Sequence, residues 1–118
     1  WLKVNPNYKE INVKEALADV DSIFHYMQKL IRMRKENLIA VYGDFKEYEP
    51  DNGQFYIYER NYEDRKMFVV LNFSDQEAAF KMPEAWKEEN PRFLIGNYPK
   101  KPLEDRTFAP WEAAVYIR

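Results

Sequence analysis

The sequence contains no cysteine, one histidine and only three glycines among its 118 residues. Without cysteine there is no disulfide framework, no thiolate metal site and no thiol nucleophile. The absence suits a reducing compartment, and we expect a cytoplasmic location. Gly43, Gly53 and Gly96 lie too far apart to form a glycine-rich phosphate loop, so nucleotide binding through such a loop is excluded.

A strong charge of one sign and a long apolar run are also missing. The formal net charge is -2, and both signs are spread along the chain, so there is no basic field for nucleic acid or an anionic membrane. No apolar run approaches the ~20 residues needed to cross a bilayer. We therefore expect neither nucleic acid nor a membrane as a partner. Because the chain begins with Trp1 and has no signal-peptide pattern, we expect it to be a piece of a longer protein.

The most apolar stretch is 67–73 (MFVVLNF), which has the β-branched and aromatic content of a strand. A nearly unbroken run of this kind predicts a strand that is buried on both faces and lies in the middle of a sheet. Seven residues are too few for a helix to fill a core, so the strand is the better interpretation.

Upstream, residues 1–12 show no period and are predicted to form an extended lead-in with a turn at Asn5, Pro6 and Asn7. Residues 21–37 are predicted to be a helix, because apolar side chains there recur at three- and four-residue spacing. We call this face the apolar stripe: Val20, Ile23, Phe24, Met27, Leu30 and Ile31. We expect the stripe to pack on the sheet and Tyr26 and Met33 to form an exposed shoulder beside it.

Beyond residue 37 the apolar period drops to two, and turn residues separate short segments. Strands are predicted at 39–48, 55–60, 67–73, 78–82, 92–98 and 111–118, with a hairpin at Asn52-Gly53, a turn or helical excursion at 84–90 and a loop at 99–106. In the last strand, one face is assigned to Trp111, Ala113, Val115 and Ile117, and the other to Glu112, Ala114, Tyr116 and Arg118, as in a half-exposed strand. One helix followed by about six antiparallel strands predicts a mainly β fold, an antiparallel β-sandwich with an N-terminal helix.

The residues offer little for catalysis. A triad around His25 would need Ser22 or Ser74, and neither serine lies in a nucleophile motif. The carboxylate pairs 63–64 and 88–89 fall in connecting segments, where we expect them to be solvated surface charges and not an acid–base pair. The fragment 51–53 is too short for a calcium loop and is interpreted as a turn. We therefore expect no catalytic residue, no metal and no cofactor in this chain.

The aromatic content leaves one alternative open. Trp1, Trp86 and Trp111, together with nine tyrosines, are enough for an exposed platform on which sugars stack. Core filling is the simpler interpretation, because Tyr56 and Tyr58 alternate with apolar residues in a predicted strand. The platform interpretation corresponds to an autonomous carbohydrate-binding module.

Five segments together resemble a known family. They are 1–13 (WLKVNPNYKEINV), 22–36 (SIFHYMQKLIRMRKE), 41–45 (VYGDF), 69–74 (VVLNFS) and 109–116 (APWEAAVY). In this order they resemble the C-terminal end of the α-glucosidases of the α-amylase superfamily, glycoside hydrolase family 13, and the oligo-1,6-glucosidases are the nearest subgroup. The likeness covers essentially the whole chain.

The resemblance implies that the catalytic carboxylates of the parent lie upstream, on a (β/α)8 barrel that is the partner of this chain in cis. Residues 1–37 would be the lead-in loop and last barrel helix, and 38–118 the C-terminal antiparallel β-domain. The parent would hydrolyse α-linked oligosaccharides with retention, whereas this chain alone would be non-catalytic. Asn5, Asn7 and Tyr8 are the substrate-pocket candidates, because that loop leaves the active-site end of the barrel. The alternatives are the carbohydrate-binding module and the ectodomain of an amino-acid transporter subunit that shares the superfamily fold.

Overall fold

The computed structural model describes residues 2–118, and Trp1, with the part of the platform hypothesis that rests on it, lies outside the described residues. The chain divides into two compact units. The first ends at Glu36, and the second spans Asn37–Arg118. Each is described by itself.

The first unit is helical. It contains a 3-10 helix, Pro6–Lys9, followed by α1 (Val13–Ala18) and α2 (Ile23–Glu36). The Asn12 side chain begins α1 by accepting a hydrogen bond from the Glu15 amide at 3.0 Å, and the Ser22 hydroxyl accepts one from the His25 amide at the start of α2. The predicted helix at 21–37 is confirmed as α2. The predicted extended lead-in is wrong at Pro6–Lys9, where Asn5 and Pro6 start a helical turn, and α1 was not predicted because six residues show too little periodicity.

Five of the six side chains of the apolar stripe are exposed, and the sixth, Leu30, is half-buried. Phe24, Met27 and Ile31 keep 43%, 49% and 51% of their surface accessible, whereas Tyr26 and Met33 are half-buried. The prediction of a covered stripe and an exposed shoulder is therefore wrong. Periodicity identifies an apolar face, but it does not identify which side of the helix has a partner. No side chain between residues 2 and 36 is buried.

The second unit is built on an antiparallel sheet of five strands in the order β1-β2-β3-β7-β5, with a separate two-stranded sheet of β4 and β6. The strands are β1 (Lys46–Tyr48), β2 (Phe55–Tyr62), β3 (Arg65–Asn72), β4 (Ala78–Ala79), β5 (Arg92–Gly96), β6 (Thr107–Phe108) and β7 (Ala113–Ile117). The predicted strand at 67–73 is confirmed as β3, which lies in the middle of the sheet. Its residues Met67, Phe68, Val69 and Val70 are all buried, so both faces of the strand are covered.

The two edge strands are short or irregular. β1 has three residues, and β5 changes register against β7 between Phe93 and Ile95. β1 and β2 form the predicted hairpin, and the Asn52 side chain organises its turn by accepting hydrogen bonds from the Gln54 and Phe55 amides.

The predicted strand at 39–48 is wrong in its first half. Residues Ile39–Tyr42 form a short helix, α3, and only Lys46–Tyr48 is a strand. The Arg60 guanidinium donates to the Ala40 carbonyl at 2.9 Å and to the Gly43 carbonyl, so a cation from β2 satisfies the end of α3. The predicted strand at 78–82 is shortened to the two residues of β4, and the predicted excursion at 84–90 is a 3-10 helix, Glu84–Trp86.

The main core lies on one face of the five-stranded sheet. It consists of Phe55, Ile57, Phe68, Val70, Phe80, Trp86, Leu103, Phe108, Ala114 and Tyr116. The prediction that only one face of the last strand is apolar and buried is therefore wrong: Ala114 and Tyr116 point into this core, Ile117 on the assigned face is also buried, and Trp111 on that face is 58% exposed. The predicted fold class, mainly antiparallel β with helix at the start, is confirmed.

Candidate functional site

The three residues suggested by sequence, Asn5, Asn7 and Tyr8, lie together in one exposed turn. Asn5 caps the 3-10 helix by accepting a hydrogen bond from the Asn7 amide at 3.3 Å. The Tyr8 carbonyl accepts from the Asn12 side chain at 3.0 Å, which connects this turn to the start of α1. The turn therefore has a defined local geometry and presents the Tyr8 ring to solvent.

The serine and histidine side chains considered for a nucleophile serve local structure instead. His25 Nε2 lies 3.1 Å from the Leu17 carbonyl oxygen, and the Ser22 hydroxyl donates to the Ala16 carbonyl at 2.6 Å. Ser74 belongs to a network around the Asn72 side chain, which is buried. Within residues 2–118, no group of three or more His, Asp or Glu side chains could hold a metal ion. In the same range, no helix is long and apolar enough to span a bilayer.

Two buried carboxylates were not identified from the sequence, and Glu59 is the first. Its carboxylate accepts hydrogen bonds from the Tyr48 hydroxyl at 2.6 Å, the Trp86 indole at 2.7 Å and the Asn61 side-chain NH₂ group at 3.3 Å. Burial alone raises the pKa of the Glu59 carboxyl, but these hydrogen bonds outweigh burial and the net pKa lies below its ordinary value. Burial, followed by the hydrogen bond to Glu59, raises the pKa of the Tyr48 hydroxyl well above its usual range.

The chemistry of Glu59 follows from this environment. A carboxyl group with a lowered pKa is ionised at neutral pH, so it accepts hydrogen bonds and is a poor general acid. Lys46 Nζ lies 3.7 Å from Glu59 Oε1 and supplies a partly compensating charge. The cluster therefore holds β1, β2 and the 3-10 helix that contains Trp86 together.

Glu112 is the second buried carboxylate. Lys101 Nζ lies 2.8 Å from Glu112 Oε1, and the side chains of this ion pair are only 14% and 5% exposed. The same ammonium lies 3.9 Å from the centroid of the Phe108 ring and donates to the Thr107 carbonyl. Glu112 Oε2 accepts from the Ala109 amide at 2.8 Å. The ion pair thus fixes the loop between β5 and β6 to the start of β7.

A cleft of about 500 Å³ opens beside β1, and we call it the Tyr48 cleft. It is lined by Tyr48, Glu49, Lys81, Met82, Pro83, Glu84, Lys87 and Arg106. The Tyr48 ring is held in place by its hydroxyl bond to Glu59 and by an edge contact with Phe68, whose centroid is 6.2 Å away. The cleft combines a rigid aromatic side chain with charged groups of both signs.

Two family models divide the chain between them. The model described as the maltogenic amylase C-terminal domain matches residues 45–115. The model described as the α-amylase catalytic domain matches residues 1–43. The boundary between the matches falls in the segment that joins α3 to β1.

Curated relatives and solved structures agree with these matches. The oligo-1,6-glucosidase of Bacillus cereus is 43% identical over 98% of this chain, and that of Parageobacillus thermoglucosidasius is 41% identical over the same share. The crystal structure of Bacillus licheniformis trehalose-6-phosphate hydrolase superposes with a TM-score of 0.88 at 37% identity over 99% of this chain. This chain spans only 21% of the length of the two glucosidases and 22% of the hydrolase chain.

These matches confirm the resemblance read from the sequence motifs. The chain belongs to the α-amylase family of glycosidases, glycoside hydrolase family 13, and it corresponds to the C-terminal region of the oligo-1,6-glucosidases.

Proposed function

We propose that this chain is the non-catalytic C-terminal part of an α-glucosidase and that it packs on and stabilises the catalytic barrel. Residues 1–37 would complete the barrel, and residues 38–118 would form the β-domain. The parent would cleave α-linked oligosaccharides with retention, using carboxylates on the barrel. A cytoplasmic location is part of the proposal and accords with the cysteine-free sequence.

The observation that carries this proposal is the complete lack of buried side chains between residues 2 and 36. An amphipathic helix of a globular protein normally covers its apolar face, and α2 does not. Full burial of a side chain such as Phe24 or Ile31 stabilises a fold by about 1.5–3 kcal/mol. Covering the exposed stripe would therefore add several kcal/mol of stability. The match of residues 1–43 to a catalytic-domain model supports the remainder of that domain as the missing cover.

The charged groups of the β-domain support a structural role. Its two buried carboxylates, Glu59 and Glu112, are each engaged by several donors from the same domain. Retaining hydrolysis needs two carboxyl groups about 5 Å apart around an accessible bond. Side chains that are buried and already hydrogen-bonded are not accessible to a substrate.

The packing proposal is tested by making one substitution in two contexts. Phe24→Ala in the isolated chain should lower the free energy of unfolding by less than about 1 kcal/mol, because the ring is already 43% exposed. In the full-length enzyme the same change should cost about 3–5 kcal/mol, as for a core phenylalanine. Urea denaturation measures both.

Val70→Ala is the matched control, because Val70 is fully buried in the β-domain core. This substitution should lower the free energy of unfolding by the same amount in both contexts. An equal, small loss for Phe24→Ala in both contexts would contradict the packing role. That result is also what the alternative, an autonomous carbohydrate-binding module, requires.

We also propose that Asn5, Asn7 and Tyr8 help to shape the substrate pocket of the parent, because loops at the carboxyl end of a barrel carry its active site. In the full-length enzyme, Tyr8→Ala should raise the KM for isomaltose without changing the unfolding midpoint, since the ring is exposed. Lys9→Ala, in the same turn, is the control and should leave KM unchanged. An unchanged KM in the Tyr8 variant would remove Tyr8 from the pocket.

A further inference from the structure

The Tyr48 cleft has the size and lining of a small-molecule site. Its volume of about 500 Å³ falls within the range of ~300–1,000 Å³ that is usual for ligand pockets. Tyr48, Met82 and Pro83 are half-buried and provide an apolar surface. The Tyr48 hydroxyl is already bound to Glu59, so the aromatic wall is fixed before any ligand arrives.

Some charged side chains around this surface already have an interaction partner, and others do not. Glu84 is paired with Lys87 at 2.5 Å, and Glu49 accepts a hydrogen bond from the Asn52 side chain at 3.1 Å. The Lys81 and Arg106 side chains have neither an ion pair nor a hydrogen bond with any described residue. The cleft therefore offers two unused cationic donors next to carboxylate acceptors.

We propose that the Tyr48 cleft binds a neutral oligosaccharide. A sugar ring has an apolar C–H face that fits an aromatic and aliphatic wall, and its hydroxyl groups both donate and accept hydrogen bonds. Lys81 and Arg106 serve as donors to hydroxyl oxygens, and Glu49 serves as an acceptor. The lining as a whole carries Glu49 and Glu84 as well as Lys81, Lys87 and Arg106, so a small anion would meet charges of both signs there.

The choice of α-glucosides as probes rests on the proposed function, whereas the binding itself does not depend on packing against a barrel. Maltotriose and isomaltotriose are titrated into the isotope-labelled 118-residue chain, and backbone amide shifts are recorded. Saturable shifts are expected at Tyr48, Met82 and Arg106, with a Kd near ~1 mM, as for a site with few contacts. Inorganic phosphate is titrated in parallel and should produce no saturable shift there.

A double variant, Lys81→Ala with Arg106→Ala, should weaken sugar binding about tenfold or more, because two hydrogen bonds to charged groups are lost. The unfolding midpoint should not move, since both side chains are exposed. Arg65→Ala is the matched control, because Arg65 is exposed and lies in a different depression with Arg92 and Arg118.

Three results would overturn the proposal. The first is no saturable shift with either sugar up to about 50 mM, far above the expected Kd. The second is binding that maps to Trp111 or Tyr98 and survives the double variant. The third is phosphate binding at the cleft without sugar binding. Each of these leaves the packing proposal intact, since that proposal is tested by Phe24→Ala in two contexts.

Discussion

Replacing Glu59 by glutamine tests whether a buried carboxylate holds the β-domain together. The change keeps the volume of the side chain but removes its charge and one acceptor oxygen. Glu59 Oε2 accepts hydrogen bonds from both the Tyr48 hydroxyl at 2.6 Å and the Trp86 indole at 2.7 Å. A glutamine offers one carbonyl oxygen, and its NH₂ group would face donors that need an acceptor.

The expected loss follows from these contacts. Hydrogen bonds to a charged group contribute about 1.5–3 kcal/mol each, and a buried donor left unsatisfied costs about 1–3 kcal/mol. Since some acceptance by the glutamine carbonyl remains, we expect Glu59→Gln to lower the free energy of unfolding by about 2–4 kcal/mol at pH 7. Glu84→Gln removes an exposed ion pair with Lys87 and should change stability by less than about 0.5 kcal/mol.

The same substitution has a pH signature. Because the net pKa of Glu59 in the folded state lies below its ordinary value of 4.5, its ionisation stabilises the fold fully above that pH. The stabilisation is lost as the pH falls from there through the folded-state pKa. Urea denaturation from pH 7 to acid conditions should therefore show a shallower acid loss for Glu59→Gln than for the unchanged protein. Equal losses for the Glu59 and Glu84 variants, or identical acid profiles, would refute the reasoning.

Three further predictions concern other parts of the chain. Lys101→Ala should cost about 3–5 kcal/mol in urea denaturation, because it leaves the buried Glu112 carboxylate without its cation, whereas Lys87→Ala should cost less than about 1 kcal/mol. Tyr116→Phe should leave the urea midpoint unchanged or raise stability by about 1 kcal/mol, because the buried Tyr116 hydroxyl has no hydrogen-bond partner among the described residues; a clear loss would reveal a hidden partner. The isolated chain should not hydrolyse nitrophenyl α-glucoside, maltose or isomaltose; turnover that copurifies with it and disappears when one of its own Asp or Glu residues is replaced would contradict the assignment.

The parts of the fold that could be predicted are those in which local pattern and tertiary environment agree. β3 was predictable because the consecutive side chains from Met67 to Val70 are all buried, which leaves a strand covered on both faces as the consistent interpretation. Similarly, α2 has enough turns for its 3.6-residue period to be visible. The hairpin was predictable because Asn52 organises its own turn.

The predictions are wrong where contacts with residues distant in sequence determine the local structure. Ile39 and Val41 have the composition of a strand, yet Arg60, about twenty positions away, satisfies the carbonyls of a helical turn at that place. In β7, apolar residues occur on both faces, so the sequence alone does not identify the core face. The preceding residue, Glu112, is buried because Lys101 compensates its charge. Glu59 could not be identified for a similar reason, since its strongest donors lie eleven and twenty-seven residues away in sequence. The Tyr48 cleft, likewise, brings together residues from three separate segments.

The irregular edges of the five-stranded sheet bear on how this chain behaves at high concentration. An edge strand with free N–H and C=O groups is a template for intermolecular β-pairing, and short or bulged edges reduce that risk. Here β1 offers only three residues, and the register shift in β5 interrupts the other edge. Any self-association of the chain should then proceed through the exposed apolar side chains of α2. Aggregates formed in that way would dissolve in mild detergent and would lack the regular 4.7 Å repeat of cross-β fibrils.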